Sequence, residues 1–169
     1  LDIETAPNRA YVWGLFKQNV ALNQIEESSY TLCWSAKWLG ESEIQYASVQ
    51  KGQGGERRML QRIHRLLDQS EVVIHFNGQK FDIPILNKEF VRMGMKPPSP
   101  YKQVDLMRVC KRVFRFESNK LEYVAEVLNL KSKKIKHGGF RLWVDCMHGD
   151  PKAWGKMEVY NRGDVETLE

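Results

Sequence analysis

The first five residues of the chain, Leu1-Asp2-Ile3-Glu4-Thr5, alternate apolar and acidic side chains. In a β-strand alternate side chains share a face, so Asp2 and Glu4 project together while Leu1 and Ile3 pack behind them. Two carboxylates on one strand face repel each other. Desolvation and like charge raise a carboxyl pKa or demand a cation, and a divalent metal with hard oxygen ligands is the economical answer. Further carboxylates that join this pair are therefore the first thing to look for.

Two later segments qualify. Asp82 follows Asn77-Gly78-Gln79-Lys80-Phe81 at the junction of an apolar run and a helical pattern, the strand-to-helix edge where open α/β sheets hold their ligands. As an aspartate at a helix start it is also a plausible N-cap, and the two roles are compatible. Tyr160 and Asp164 are four residues apart and share a helix face, which can be aimed at the Asp2/Glu4 side of a sheet. Tyr160 is also readable as a core aromatic.

The segments between must supply the positioning elements. Thr31 to Trp38 and Glu43 to Val49 read as strands joined by the Gly40-Glu41-Ser42 turn, and with the opening strand they predict an antiparallel meander. Ala6 to Arg9 breaks the first strand, and Tyr11 to Phe16 reads as an irregular loop. Glu56 to Gln69 carries Met59, Leu60, Ile63, Leu66 and Leu67 at helical spacing, with Arg57, Arg58, Arg62 and Arg65 elsewhere, and predicts a helix packed on a sheet. Val72 to Phe76 is a continuous apolar run of the kind found in buried parallel strands. A helix from Asp82 to Gly94 follows, with Pro84 in its first turn. Gln103 to Leu106 predicts another short strand leading into a basic helix around Met107 to Phe114. Ser118-Asn119 predicts the cap of a helix bearing Leu121, Val124 and Leu128. Lys131 to His137 reads as a basic loop, and Trp143, Trp154 and Met157 lead into a final helix.

Asp2-Ile3-Glu4, Asn77-x-x-x-Phe81-Asp82 and Tyr160-x-x-x-Asp164, in that order, resemble the three exonuclease motifs of the DEDDy branch of the DnaQ-like, ribonuclease H-like 3′-5′ exonucleases. The likeness spans nearly the whole chain, and it extends to the stand-alone exonuclease-like proteins of bacteria and their phages. The resemblance implies an α/β fold: a ribonuclease H-like mixed five-stranded sheet, an antiparallel meander plus two parallel strands, flanked by helices. It implies one domain over residues 1–169, and the chain's opening inside a strand and ending inside a helix is what trimming at both ends produces.

The resemblance also implies two divalent metal ions, Mg²⁺ or Mn²⁺, roughly 3.5 to 4 Å apart, for in-line phosphoryl displacement. Asp2 would bridge them, Glu4 and Asp164 would complete the ion that binds water, and Asp82 would support the second ion. Tyr160 would position the water, because a phenol with a pKa near ~10 is a poor base at neutral pH. Thr5, Asn77, Phe81, Arg162 and the run Lys131, Lys133, Lys134 and Lys136 are the expected nucleic-acid contacts, with single-stranded DNA preferred over RNA. The lysine run reads equally as solvated surface. An RNA exonuclease, a structure-selective endonuclease and a catalytically silent nucleic-acid-binding module are the rival readings.

Composition agrees without deciding between these. A formal charge of +5 over 169 residues allows a polyanionic partner. No apolar run approaches the ~20 residues of a membrane span. Cys33, Cys110 and Cys146 form no CxxC pair and suit a reducing, cytoplasmic setting. They read as structural thiols, and no complete zinc ligand set accompanies them. Asp105 reads as a structural cap in preference to a metal ligand.

Overall fold

The computed structural model describes residues 1–50, 52, 54–130 and 138–169. Strand β1 (Asp2–Thr5) runs antiparallel to β4 (Thr31–Lys37), which pairs in turn with β5 (Ile44–Ser48). The meander is thus formed with β4 at its centre. Strands β2 (Arg9–Ala10) and β3 (Ile25–Glu27) make a separate two-stranded ribbon. The loop reading of this region stops short of that ribbon, because a two-residue strand carries no alternation to detect.

The register explains why β1 has a chemical face and a core face. Ile3 pairs with Trp34 and Trp34 with Ala47, and these three belong to one buried cluster. Asp2 pairs with Ser35 and Glu4 with Cys33, on the opposite face, so a period of two sends both carboxylates away from the Ile3 ladder. Helix α1 (Gly55–Gln69) covers the ladder face with Met59, Leu60, Ile63 and Leu67, as its spacing predicts. Trp34 is wholly buried there, and its Nε1 donates to the Met59 carbonyl at 2.9 Å.

Strand β6 (Val72–His75) pairs in parallel with β7 (Lys102–Asp105), and helix α2 (Asp82–Arg92) connects them. The backbone nitrogen of Leu1 donates to the Ile74 carbonyl at 3.0 Å, which brings the parallel pair alongside β1. The α/β class and its mix of an antiparallel meander with a parallel pair are as expected, but the five strands form a three-stranded and a two-stranded sheet linked by this bond instead of one continuous ladder. Asp82 is the first residue of α2, with Phe81 at the N-cap position. Its carboxylate faces β1 instead of capping its own helix.

Helix α3 (Leu106–Val113) is capped by Asp105, whose carboxylate accepts from the Met107 and Arg108 nitrogens. The cap expected of Asp105 is therefore present. Lys120 precedes helix α4 (Leu121–Val127), and Ser118 Oγ accepts from the Lys120 nitrogen at 3.3 Å, so Asn119 is not the cap. The lysine run lies outside the described residues. Two helices, not one, close the chain: α5 (Arg141–Met147) and α6 (Pro151–Glu166). Gly149 at φ +81° breaks them apart, and Asp150 caps α6 with Pro151 in its first turn. Together α5 and α6 bury Leu142, Cys146, Ala153, Trp154, Met157 and Tyr160 against Leu32, Cys33 and Tyr46. This is the face onto which Asp2 and Glu4 project. No helix among the described residues is long and apolar enough to cross a membrane.

The turn between β6 and α2 is held by close packing. A Cβ at Gly78 would lie 2.4 Å from Cγ of His75, which is fully buried. Gly78→Ala is therefore expected to cost about 1–3 kcal/mol, as overpacking does. Gly155, exposed within α6, has nothing within 4 Å of its Cβ position, and Gly155→Ala should stabilise by about 0.5–1 kcal/mol. Urea unfolding of the two variants separates steric restriction from generic glycine loss.

Candidate active site

Three carboxylates converge where β1 meets α6. One ligand oxygen from each of Asp2, Glu4 and Asp164 can be chosen so that all lie within 4.8 Å of one another. The helical spacing accounts for Asp164 and Tyr160, both about 5% exposed and on the same side of α6. The Tyr160 hydroxyl donates to the Asp164 carboxylate. Trp143 of α5 stands edge-on to the Tyr160 ring, centroids 6.0 Å apart, and its Nε1 donates to Glu4 Oε2 at 2.9 Å. Among the described residues no histidine or cysteine joins this cluster.

Asp82 arrives from the other side of β1. Leu1 and Ile3 point their N–H groups to the same strand edge, and β6 ends at His75 before it can serve Ile3. Asp82 Oδ1 takes that N–H at 3.0 Å. Asp82 is thus adjacent to the three-carboxylate cluster and electrostatically linked to Asp2, but it is not one of the oxygens within 4.8 Å.

Electrostatics show what the arrangement costs. Asp2 is held well above the usual carboxylate range by burial first, then by the charges of Asp82, Glu4 and Asp164. Asp82 is pushed up to about 6 by burial, against the pull of the Ile3 N–H. Burial, followed by the charges of Asp164 and Glu4, raises the Tyr160 phenol far above its ordinary value. It stays a neutral hydrogen-bond donor. Close carboxylates that resist ionisation fit a hard divalent cation, whose charge replaces the proton.

Two supporting groups were not legible as site residues. Asn161 is fully buried, and its Nδ2 donates to Asp2 Oδ2 at 2.6 Å. Its position three residues before Asp164, hence on the same helix face, is the signal that could have found it. Trp143, which the sequence marks only as part of the approach to the final helix, touches a site carboxylate through its indole N–H. Of the expected nucleic-acid contacts, Thr5 ends β1 just past a register shift, Asn77 sits at φ +65°, and Phe81 is 41% exposed. Arg162 donates through Nε to Glu158 at 2.8 Å and through Nη1 to the Ile44 carbonyl. Its guanidinium also lies over the Tyr46 ring. Those bonds fix it beside β5.

The chain is an α/β domain that gathers carboxylates from its first strand and a late helix. A family model described as the RNase H superfamily matches residues 22–169, and the chain belongs to that superfamily. Asp82, Tyr160 and Asp164 lie inside the matched span, while Asp2 and Glu4 precede it. No curated protein matches the chain. Among solved structures, the family B DNA polymerase from the hyperthermophilic archaeon Pyrobaculum calidifontis is similar, with a TM-score of 0.70 and 15% sequence identity. The match covers 99% of this chain and 23% of that one, so the chain spans under a quarter of the polymerase's length. This likeness shows the fold.

The raised carboxyl pKa values carry a sign. A carboxyl whose folded pKa is raised keeps a proton that the unfolded chain has lost. Its contribution to stability is full below the ordinary value near ~4 and is lost as pH rises through the folded value, which for Asp82 is about 6. Mn²⁺ should therefore raise the melting temperature more at pH 7.5 than at pH 5, where protons compete for the same oxygens. Thermal melts with and without metal at both pH values check this; equal shifts would contradict it.

Proposed function

We propose that this chain is a metal-dependent 3′-5′ exonuclease of the DEDDy type that hydrolyses phosphodiester bonds, with single-stranded DNA as its preferred substrate. The observation that carries the reading is the convergence of Asp2, Glu4 and Asp164 beside a neutral tyrosine hydroxyl. Superfamily membership supports nucleic acid as the substrate, and the three ordered motifs support the exonuclease branch.

Asp2, Glu4 and Asp164 would hold the divalent ions, with Asp82 completing the set from the far edge of β1. When bound, such ions supply the positive charge that activates water and stabilises the departing 3′ oxygen. Burial keeps the Tyr160 hydroxyl protonated and its proton goes to the Asp164 carboxylate, so its oxygen would orient water at the cluster by accepting from it, without removing a proton for the reaction. Asn161 and Trp143 fix the Asp2 and Glu4 carboxylates by one N–H each, which limits the rotation of ligands that must not drift. Specificity for a base is not needed, because a processing exonuclease must accept each base in turn.

A 5′-labelled single-stranded oligonucleotide incubated with Mn²⁺ or Mg²⁺ tests the reading. The expected product is a ladder shortening from the 3′ end, abolished by EDTA, by Asp2→Asn and by Asp164→Asn. Closed circular DNA should remain intact. Internal cuts would identify an endonuclease instead, and faster degradation of the RNA counterpart would reassign the substrate. Tyr160→Phe should lower kcat by about 10²-fold with little change in metal affinity. Asn161→Leu should weaken Mn²⁺ binding by about 10-fold to 100-fold, read by calorimetry.

A further inference from the structure

We infer that the groove along α3 is a binding track for the sugar-phosphate backbone of a single nucleic-acid strand, leading to the loop that carries Asp82. The groove, of about 590 Å³, is lined by Gln79, Gln103, Arg108, Lys111 and Arg112, with Asp105 at its base. Three cations line it against one carboxylate. That carboxylate is engaged, since Asp105 accepts from the backbone nitrogens of Asn77, Gln79, Met107 and Arg108 and is only 5% exposed.

The neutral groups in the groove are also turned to donate. Gly78 N–H donates to His75 Nδ1 at 3.1 Å, so the neutral ring carries its proton on Nε2 and donates to Gln103 Oε1 at 3.2 Å. Burial, which lowers the His75 pKa, keeps the ring neutral. Gln103 must therefore present its amide NH₂ away from His75. Gln79 is oriented the same way, because its Oε1 accepts from Arg108 Nη1. Among the described residues neither Lys111 nor Arg112 has an acidic partner.

A wall whose acceptors are consumed internally and whose donors and cations point outward suits an anion repeated along a line. Phosphodiester oxygens are that anion. Continuity with the site comes from the Asn77–Phe81 turn, since Asp105 holds its start and Asp82 follows its end. The inference rests on the nuclease reading for its purpose, delivering a strand to the carboxylates, but its physical content is binding alone.

The test measures binding of a single-stranded oligothymidylate of about 20 nucleotides, within reach of several phosphate contacts, in Ca²⁺ as salt is raised. The double variant Lys111→Ala/Arg112→Ala should bind about 10-fold more weakly at low salt and lower the slope of log K against log salt by about 1.4. The charge-conserving Lys111→Arg/Arg112→Lys should restore both. With Mn²⁺, kcat/KM of the alanine variant should fall on the long strand and stay unchanged on a dinucleotide too short to reach the groove. An unchanged salt slope, or a wild-type chain that binds no strand, overturns the track. Strand binding with the expected slope change but no cleavage supports the track and defeats the exonuclease reading alone.

Discussion

Everything at this site depends on keeping Asp2, Glu4 and Asp164 close despite mutual repulsion. The sheet enforces the first two through its period of two, because the Ile3–Trp34–Ala47 ladder cannot leave the α1 face without unpacking the core. Rotating β1 to relieve the charges would expose Ile3 and bury the carboxylates against Met59 and Leu60, a far worse exchange. Hydrophobic packing on one face is thus the source of electrostatic compression on the other. The compression is then available to a divalent cation.

A second set of contacts governs orientation instead of proximity. Asn161, Trp143 and the Tyr160 hydroxyl each address one carboxylate of the cluster. On the far edge, Asp82 takes the Ile3 N–H left unserved where β6 stops. One hydrogen bond thereby ties the helix α2 terminus to the strand bearing Asp2 and Glu4. The His75–Gly78 contact and the Asp105 clamp fix the intervening turn, so Asp82 depends on residues that never approach the cluster.

The parts of this arrangement legible in the sequence are those with a short period. Alternation in Leu1 to Thr5 placed the carboxylate pair on a common face, and the i,i+4 spacing joined Tyr160 to Asp164. The apolar stripe of α1 was readable for the same reason. What escaped reading involves partners far apart in the chain. The Trp143 bond to Glu4 crosses 139 positions, and no local pattern distinguishes it from core packing. The split of the final helical region into α5 and α6 has a local signal, the Gly149-Asp150-Pro151 break, which the apolar spacing of Trp143, Trp154 and Met157 obscures by suggesting one approach to one helix. Asp82 as N-cap is off by a single residue: Phe81 holds the cap position, and the Asp82 carboxylate, one place further on, accepts the Ile3 N–H.

The charge layout separates two demands on a single surface. Carboxylates at the β1–α6 junction would repel a phosphate until cations neutralised them, whereas the cations of the α3 groove would attract phosphate without any metal. A strand held along α3 would present its scissile bond to the cluster only when the cluster has been neutralised. Chain binding and bond cleavage would then respond to different variables, salt for the first and metal for the second. Asp105 links them mechanically, because the same carboxylate caps α3 and anchors the turn that ends in Asp82. Moving α3 relative to that turn would break hydrogen bonds from both sides of one buried group, so the groove and Asp82 are held in fixed relation by the cost of leaving it unsatisfied.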